Sequence, residues 1–284
     1  MTARRLLLCT DMDRTVIPNG HHPEHPAARK RFREVCRHPE VRLAYVTGRH
    51  LELVLAALND YALPQPDFAI TDVGSRIYQV ENGQWRTLDA WEREIAPDWR
   101  GLDHDRLRDQ LSGITELSLQ EEAKQNRFKL SYYLPLSDDR HRVLERVATK
   151  LAELEVAAGL TWSVDDLQQV GLLDVLPQSA GKLQAILFLK KYLGFRDDEL
   201  LFAGDSGNDL PVLGSGVPAV LVANAAEEVR AQALEQARRN GREDTLYLAE
   251  NAGFPLGGNY AAGILQGIAH FFPEYSRMST ERSS

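Results

Sequence analysis

The chain is short of cysteine, of long apolar runs and of positive charge, and each shortage excludes a class of protein. Two cysteines in 284 residues, Cys9 and Cys36, cannot form a disulfide framework. The longest apolar stretches, Leu6–Cys9 and Ala185–Leu189, soon meet Asp11 and Lys190, far short of the roughly 20 residues that a membrane span needs. Arg4-Arg5 imitates the start of a secretory signal, but the apolar stretch behind it fails at once and no small-residue cleavage site follows. Acidic residues outnumber basic ones 41 to 33, a net charge of -8, which argues against nucleic acid as the main partner. No repeat or low-complexity tract is present. The expectation is a cytoplasmic enzyme or binding protein for a small molecule, with no membrane or nucleic-acid partner. Its oligomeric state is open, a monomer being compatible with everything in the sequence.

The hydrophobic pattern supplies the organisation. Arg4–Thr10, Val41–Thr47 and Asp67–Thr71 are short apolar runs without helical period, hence buried strands. Helical segments Ala27–Cys36 and His50–Asn59 alternate with them, and a hairpin turns at Glu81-Asn82-Gly83. Strand–helix–strand rhythm of this kind predicts a parallel sheet covered by helices. From Trp85 the rhythm changes. All four tryptophans (Trp85, Trp91, Trp99 and Trp162) lie in this middle section. Arg127–Leu134 alternates like a strand with one exposed face, and Asp138–Glu155 is a polar amphipathic helix. The α/β rhythm resumes with Ser179 as the N-cap of a helix over Gly181–Leu193, strands at Glu199–Ala203 and Val217–Val222, and helices at Glu227–Asn240 and Ala261–Phe271. Met278–Ser284 is a polar tail expected to fray. The fold class is therefore α/β: a core of residues 1–84 and 179–284, with an inserted α+β unit over 85–178.

Four clusters carry chemistry. Asp11-Met12-Asp13-Arg14-Thr15 places two carboxylates at the end of the first strand, where open α/β sheets collect ligands. Paired acids there are costly without a cation, and hard oxygen ligands favour Mg²⁺; the bland alternative is a polar loop. Thr47-Gly48-Arg49 offers a hydroxyl, backbone N–H groups and a guanidinium to an anion, or is simple capping. Lys182 stands at a helix N-terminus, against the macrodipole, for which a bound phosphate or a snorkelling side chain would account. Gly204-Asp205-Ser206-Gly207-Asn208-Asp209 brings two more acids to a strand end, with glycines that permit close backbone approach. Each alone has an ordinary structural reading. All four at strand ends or helix starts of one α/β unit point to a site.

Taken in order, Asp11-x-Asp13-x-Thr15, Thr47-Gly48-Arg49, Lys182 and Gly204-Asp205-x-x-x-Asp209 resemble the four motifs of the haloacid dehalogenase superfamily of aspartate-nucleophile phosphatases. Phe68–Ser75, Lys129–Tyr133 and Asp174–Lys182 are similar to the sucrose-6-phosphate phosphatases and their relatives, the mannosylfructose-phosphate phosphatases among them. The likeness runs from about Leu6 to Phe271. It implies a Rossmann-like core with a C2-type cap and a Mg²⁺-dependent sugar-phosphate phosphatase. Asp11 is implied as nucleophile and Asp13 as general acid and base. Thr47 and Lys182 are implied to hold phosphoryl oxygens. Mg²⁺ is implied on Asp11, the backbone carbonyl of Asp13, and Asp205, with Asp209 nearby. Thr15, Gly48, Arg49 and Asn208 are further candidates around the substrate, and the cap contributes Lys129, Tyr132, Asp174 and Gln178. The acid–base division needs one carboxylate held ionised by the metal and one able to carry a proton. One departure stands out: Arg14 occupies a position where the family often has Gly or Asn.

Other signals are weaker. His21-His22-Pro23-Glu24-His25 lacks metal-ligand spacing and reads as a solvated loop. Cys9 sits in an apolar strand with nothing basic to activate it. The tryptophans of the middle section are available to stack on a sugar, or to pack. A non-catalytic phosphosugar-binding protein, a phospho-accepting receiver or a phosphomutase are the competing readings. The first is disfavoured by the presence of both Asp11 and Asp13, the second by the cap-sized insert. The third is separated by product analysis.

Overall fold

A computed structural model describes residues 4–165 and 168–275. The expected frayed tail, Met278–Ser284, lies outside the described residues. The chain begins with β1 (Leu6–Thr10), α1 (Ala28–Cys36), β2 (Val41–Val46), α2 (Leu51–Asp60) and β3 (Phe68–Thr71), followed by the hairpin β4 (Arg76–Glu81) and β5 (Gln84–Thr87). Next come α3 (Asp89–Ile95), α4 (His104–Leu111), β6 (Ser118–Leu119), β7 (Leu130–Pro135), α5 (Arg140–Glu153), β8 (Ala158–Asp165) and β9 (Val170–Pro177). The last third holds α6 (Lys182–Leu193), β10 (Leu200–Gly204), α7 (Leu210–Leu213), β11 (Ala219–Leu221), α8 (Glu227–Arg239), β12 (Leu246–Leu248) and α9 (Ala261–Phe271).

The first sheet has the order β12-β11-β10-β1-β2-β3-β4-β5. Its first six strands in that order are parallel; β4 and β5 run antiparallel at one edge. Because side chains alternate along a strand, β1 sends Leu6 and Leu8 to one face and Leu7 and Cys9 to the other. The first pair joins Phe32 of α1 and Ile264 and Ile268 of α9; the second joins Ala185, Ile186 and Leu189 of α6. With both faces covered, β1 must be apolar throughout, and it is. Cys9 is packed in this core, where burial raises its thiol far above the ordinary range. β5 straddles the expected start of the inserted unit at Trp85: it pairs with β4, so the first sheet continues to Thr87.

The second sheet, β6-β7-β9-β8, is entirely antiparallel. Leu130, Tyr132 and Leu134 of β7 join Leu107 and Leu111 of α4 and Val143, Val147 and Leu151 of α5 in one apolar cluster. The opposite face carries Lys129, Ser131 and Asp174. The expectation of a solvent-exposed face on β7 is corrected here: Lys129 and Ser131 are buried. Their cover is the loop before β7, where the Lys124 carbonyl accepts from both Lys129 Nζ and Ser131 Oγ, and Gln125 bonds the Ser131 backbone. Trp91 and Trp99 are buried packing residues.

The two sheets meet at a turn of unusual backbone. Asp72, Val73 and Gly74 all have positive φ. Gly74, at φ +96°, lies against Gly181; a Cβ there would stand 2.3 Å from the Gly181 carbonyl carbon, so only glycine fits. Trp91 Nε1 donates to the Gly74 carbonyl at 3.0 Å and Asn126 Nδ2 to Ser75 Oγ at 3.0 Å, tying the middle section to this turn. A second expectation is corrected nearby. Ser179 is not the cap of α6: its backbone N–H binds Asp98, and Gly181 occupies the N-cap position.

Candidate active site

The carboxyl ends of β1, β2 and β10 converge on a cleft of about 300 Å³. Asp11 follows β1, its N–H bonded to the Ala203 carbonyl of β10 at 2.8 Å. Thr47 follows β2 and accepts the Arg49 N–H on its hydroxyl at 3.2 Å. Helix α2 begins at Leu51, so Thr47-Gly48-Arg49 is a loop ahead of the helix rather than its first turn. Asp11, Asp13, Thr47, Gly48 and Arg49 line the cleft from one side, and Asp205 and Asn208 from the other.

Lys182 is the first residue of α6 and is almost fully buried. Carboxylates, not helix geometry, explain its place. Its ammonium lies 2.9 Å from Asp11 Oδ1, 2.7 Å from Asp209 Oδ1 and 2.9 Å from Asn208 Oδ1. Asp209 is held on its other oxygen by the N–H groups of Asp205 and Ser206, each at 3.1 Å. Its carboxylate also rests against Gly204, where a Cβ would come within 2.6 Å. Burial opposes charge on Lys182, but Asp11 and Asp209 hold its ammonium above the ordinary range. Burial pushes the Asp11 carboxyl up to about 8, against the pull of Lys182 and with the repulsion of Asp209 and Asp205. Burial and Asp209 likewise push Asp205 up to about 6, against Arg14, Thr15 and Lys182.

Asp11, Asp205 and Asp209 each offer a carboxylate oxygen within 4.8 Å of the others, all buried. Three buried acids share one buried lysine and the half-exposed Arg14, and remain under-neutralised. A hard divalent cation with oxygen ligands fits this donor set.

Asp13 lies outside that cluster. Arg49 grips its carboxylate with two bonds of 2.7 and 2.6 Å, and Asn19 Nδ2 adds a third at 2.7 Å. Burial works the other way, yet Arg49 and Asn19 hold Asp13 below the usual carboxylate range. The protein's own groups thus raise the Asp11 carboxyl and lower that of Asp13, and a cation on Asp11 would favour its ionised form. The cause is local, since Asp13 has a guanidinium to itself while Asp11 shares one lysine with a second acid.

Other expected site residues are also relocated. Thr15 is fully buried and donates to Asp205 Oδ1 at 3.2 Å, so it orients that acid rather than facing the cleft. Tyr132 points into the apolar cluster under α4 and α5, its hydroxyl buried without a partner. Lys129 and Asp174 do come together on the opposite face, 3.8 Å apart, with Ser131 Oγ bonded to Asp174. Gln178 is exposed, its N–H bonded to the Ala157 carbonyl, and it does not line the cleft.

The structure adds Asp72, which sequence reading missed. It is buried beside Lys129 at 3.8 Å, with Oδ1 lacking any hydrogen-bond partner. Burial raises its carboxyl, against Lys129 and the Thr71 hydroxyl. Its place directly after β3 is the same strand-end signal that marked Asp11 and Asp205. Asn19 and Ser206 had no such signal.

Comparison with known proteins gives a consistent result. The sequence profile described as Sucrose-6F-phosphate phosphohydrolase matches residues 4–272. A HAD-like hydrolase of Nitrosococcus oceani is 48% identical over 95% of this chain and 73% of its own length. Sucrose-phosphatase 1 of Nicotiana tabacum is 29% identical over 95% of this chain, which spans 60% of that relative. Among solved structures, the sucrose-phosphatase of Synechocystis sp. PCC6803, in complex with sucrose and phosphate, superposes with a TM-score of 0.71. It is 27% identical, and the match covers 94% of this chain and 98% of that one.

Proposed function

This chain belongs to the sucrose-6F-phosphate phosphohydrolase family, one of the sugar phosphatases of the haloacid dehalogenase superfamily, and from that premise we propose that it is a Mg²⁺-dependent phosphatase of a glycosyl phosphate. The substrate is of the sucrose-6-phosphate type; phosphates of mannosylfructose, glucosylglycerol and a glycosylglycerate belong to the same chemical class. The observation that carries the reading is the placement of Asp11: a buried carboxylate at a cleft, 2.9 Å from Lys182 and clustered with Asp205 and Asp209.

In the proposed reaction, an Asp11 oxygen attacks phosphorus in line. The phosphorus–oxygen bond to the sugar breaks as the aspartyl-phosphate forms. Asp11, Asp205 and Asp209 would hold Mg²⁺, which when bound would supply positive charge for the phosphoryl oxygens. Lys182, Thr47 and the Gly48 backbone add fixed donors at the same place. Asp13 protonates the departing sugar oxygen, then takes a proton from the water that hydrolyses the intermediate. For that role Asp13 must exchange its grip on Arg49. An incoming phosphate draws the guanidinium onto itself, which raises the affinity of Asp13 for a proton as the substrate arrives. Residues 88–178 act as the cap, with Asp174 its candidate for the sugar and the buried Lys129 positioning that acid. The cytoplasm is the proposed compartment.

The test is phosphate release from a panel of phosphorylated mono- and disaccharides. Release should require Mg²⁺, stop on chelation and resume on adding it back. A flat, uniformly weak profile would count against a dedicated glycosyl-phosphate phosphatase. An isomeric sugar phosphate in place of free phosphate would make the protein a mutase.

A further inference from the structure

Arg14 is a cation of the cleft that the proposed chemistry does not use. Its backbone lies at φ 54°, in the left-handed region that costs a residue with a side chain some stability. The pose is fixed on both sides. Arg14 N–H donates to Asn19 Oδ1 at 2.8 Å, and its carbonyl accepts from Asn224 Nδ2 at 2.6 Å. Asn224 is in turn held by the Tyr260 N–H at 2.7 Å. The side chain borders the cleft and is 57% exposed. Among the described residues its one ion pair is from Nε to Asp205 Oδ2, at 3.2 Å.

The other two cations of the cleft are committed: Lys182 to Asp11 and Asp209, and Arg49 to Asp13 and then to the phosphate. A half-exposed guanidinium near the nucleophile, carried on a tethered backbone, is therefore surplus to phosphoryl binding. We propose that Arg14 reads a carboxylate on the leaving group, so that the preferred substrate is an acidic glycosyl phosphate. This rests on the phosphatase reading and narrows it. A guanidinium fork matches the planar, singly charged carboxylate with two parallel bonds, whereas a sugar hydroxyl gains much less from it.

The test uses a matched pair, glucosylglycerol phosphate and glucosylglycerate phosphate, which differ by a hydroxymethyl group against a carboxylate. The intact chain is assayed with Mg²⁺ as wild type, Arg14→Gly and Arg14→Lys. Glycine takes a positive φ freely, and lysine keeps the charge should the glycine variant fold poorly. Wild type should favour the acid by about tenfold or more in kcat/KM. Arg14→Gly should bring that ratio near one, mainly through KM for the acid, and Arg14→Lys should recover part of it. A wild-type ratio at or below one overturns the proposal. So does an equal loss on both substrates in Arg14→Gly, which would leave Arg14 as a counter-ion of Asp205. Release from none of these compounds, nor from sucrose 6-phosphate, overturns the phosphatase reading and this inference together.

Discussion

The two sheets handle charge in opposite ways. The parallel sheet buries both faces and gathers acids at the carboxyl ends of its strands, where Asp11 and Asp209 hold Lys182 at 2.9 and 2.7 Å, with Asp205 beside them. The antiparallel sheet buries one face against α4 and α5, and on its other side Lys129, just before β7, and Asp174 of β9 approach Asp72 from the turn after β3. There Lys129 lies 3.8 Å from both Asp72 and Asp174, outside direct bonding distance. A tight cluster suits chemistry that must be held in one geometry. A looser one can change partners, which suits reading a variable sugar.

That contrast can be broken by substitution, and the largest effect is expected at the tight end. Asp11→Asn should lower phosphate release at least ~1000-fold while circular dichroism stays native, since the nucleophile is removed and the shape kept. Substantial residual turnover would remove Asp11 from its role. Lys182→Met should act on stability as well, because it strands Asp11 and Asp209 face to face. Urea unfolding should show a loss of about 3–5 kcal/mol, as for other buried pairs that lose one partner.

The loose cluster should respond more mildly. In a double-mutant cycle, Lys129→Met and Asp72→Asn should couple by roughly 1 kcal/mol, with KM affected more than kcat. Coupling as strong as at Lys182 would erase the distinction between the sheets. Asp72 also gives a pH test. Its carboxyl is raised by burial, so the unfolded chain ionises first. The protonated carboxyl's contribution is complete below the unfolded pKa and is lost as pH rises through the folded one. Melting curves of wild type and Asp72→Asn should therefore diverge, wild type losing ground to the variant on going from acid to neutral pH. Parallel curves would mean that Asp72 is not desolvated. The smallest effect is expected at Tyr132→Phe. Its hydroxyl is buried without a partner, so its removal should cost nothing or stabilise by up to about 1 kcal/mol, with KM unchanged. A rise in KM would return Tyr132 to the sugar site.

Much of this was legible in the sequence because it is local. An apolar run without helical period is a buried strand wherever it occurs, and an acid just beyond it sits at the strand's end. Those rules identified β1, β2, β3 and β10 and, with the motif order, Asp11, Thr47, Lys182, Asp205 and Asp209. The same rule applied to Thr71-Asp72 would have found Asp72. Alternation along β7 separated two faces, but it could not say which was covered. Lys129 and Ser131 look exposed until the loop before the strand folds over them, and Tyr132 looks available until α4 and α5 close on it.

What the sequence determined by itself is the order of strands and helices, the apolar pattern that stacks them, and the residue types at each strand end. Neighbouring residues suffice to fix these. Only the tertiary structure decided the pairings. Lys182 meets Asp11 across 171 residues of sequence, and Arg49 meets Asp13 across 36. Those contacts help raise one carboxyl and lower the other, which motif order alone does not reveal. Charge state depends on burial and on the nearest opposite charge, and both are properties of the packed chain.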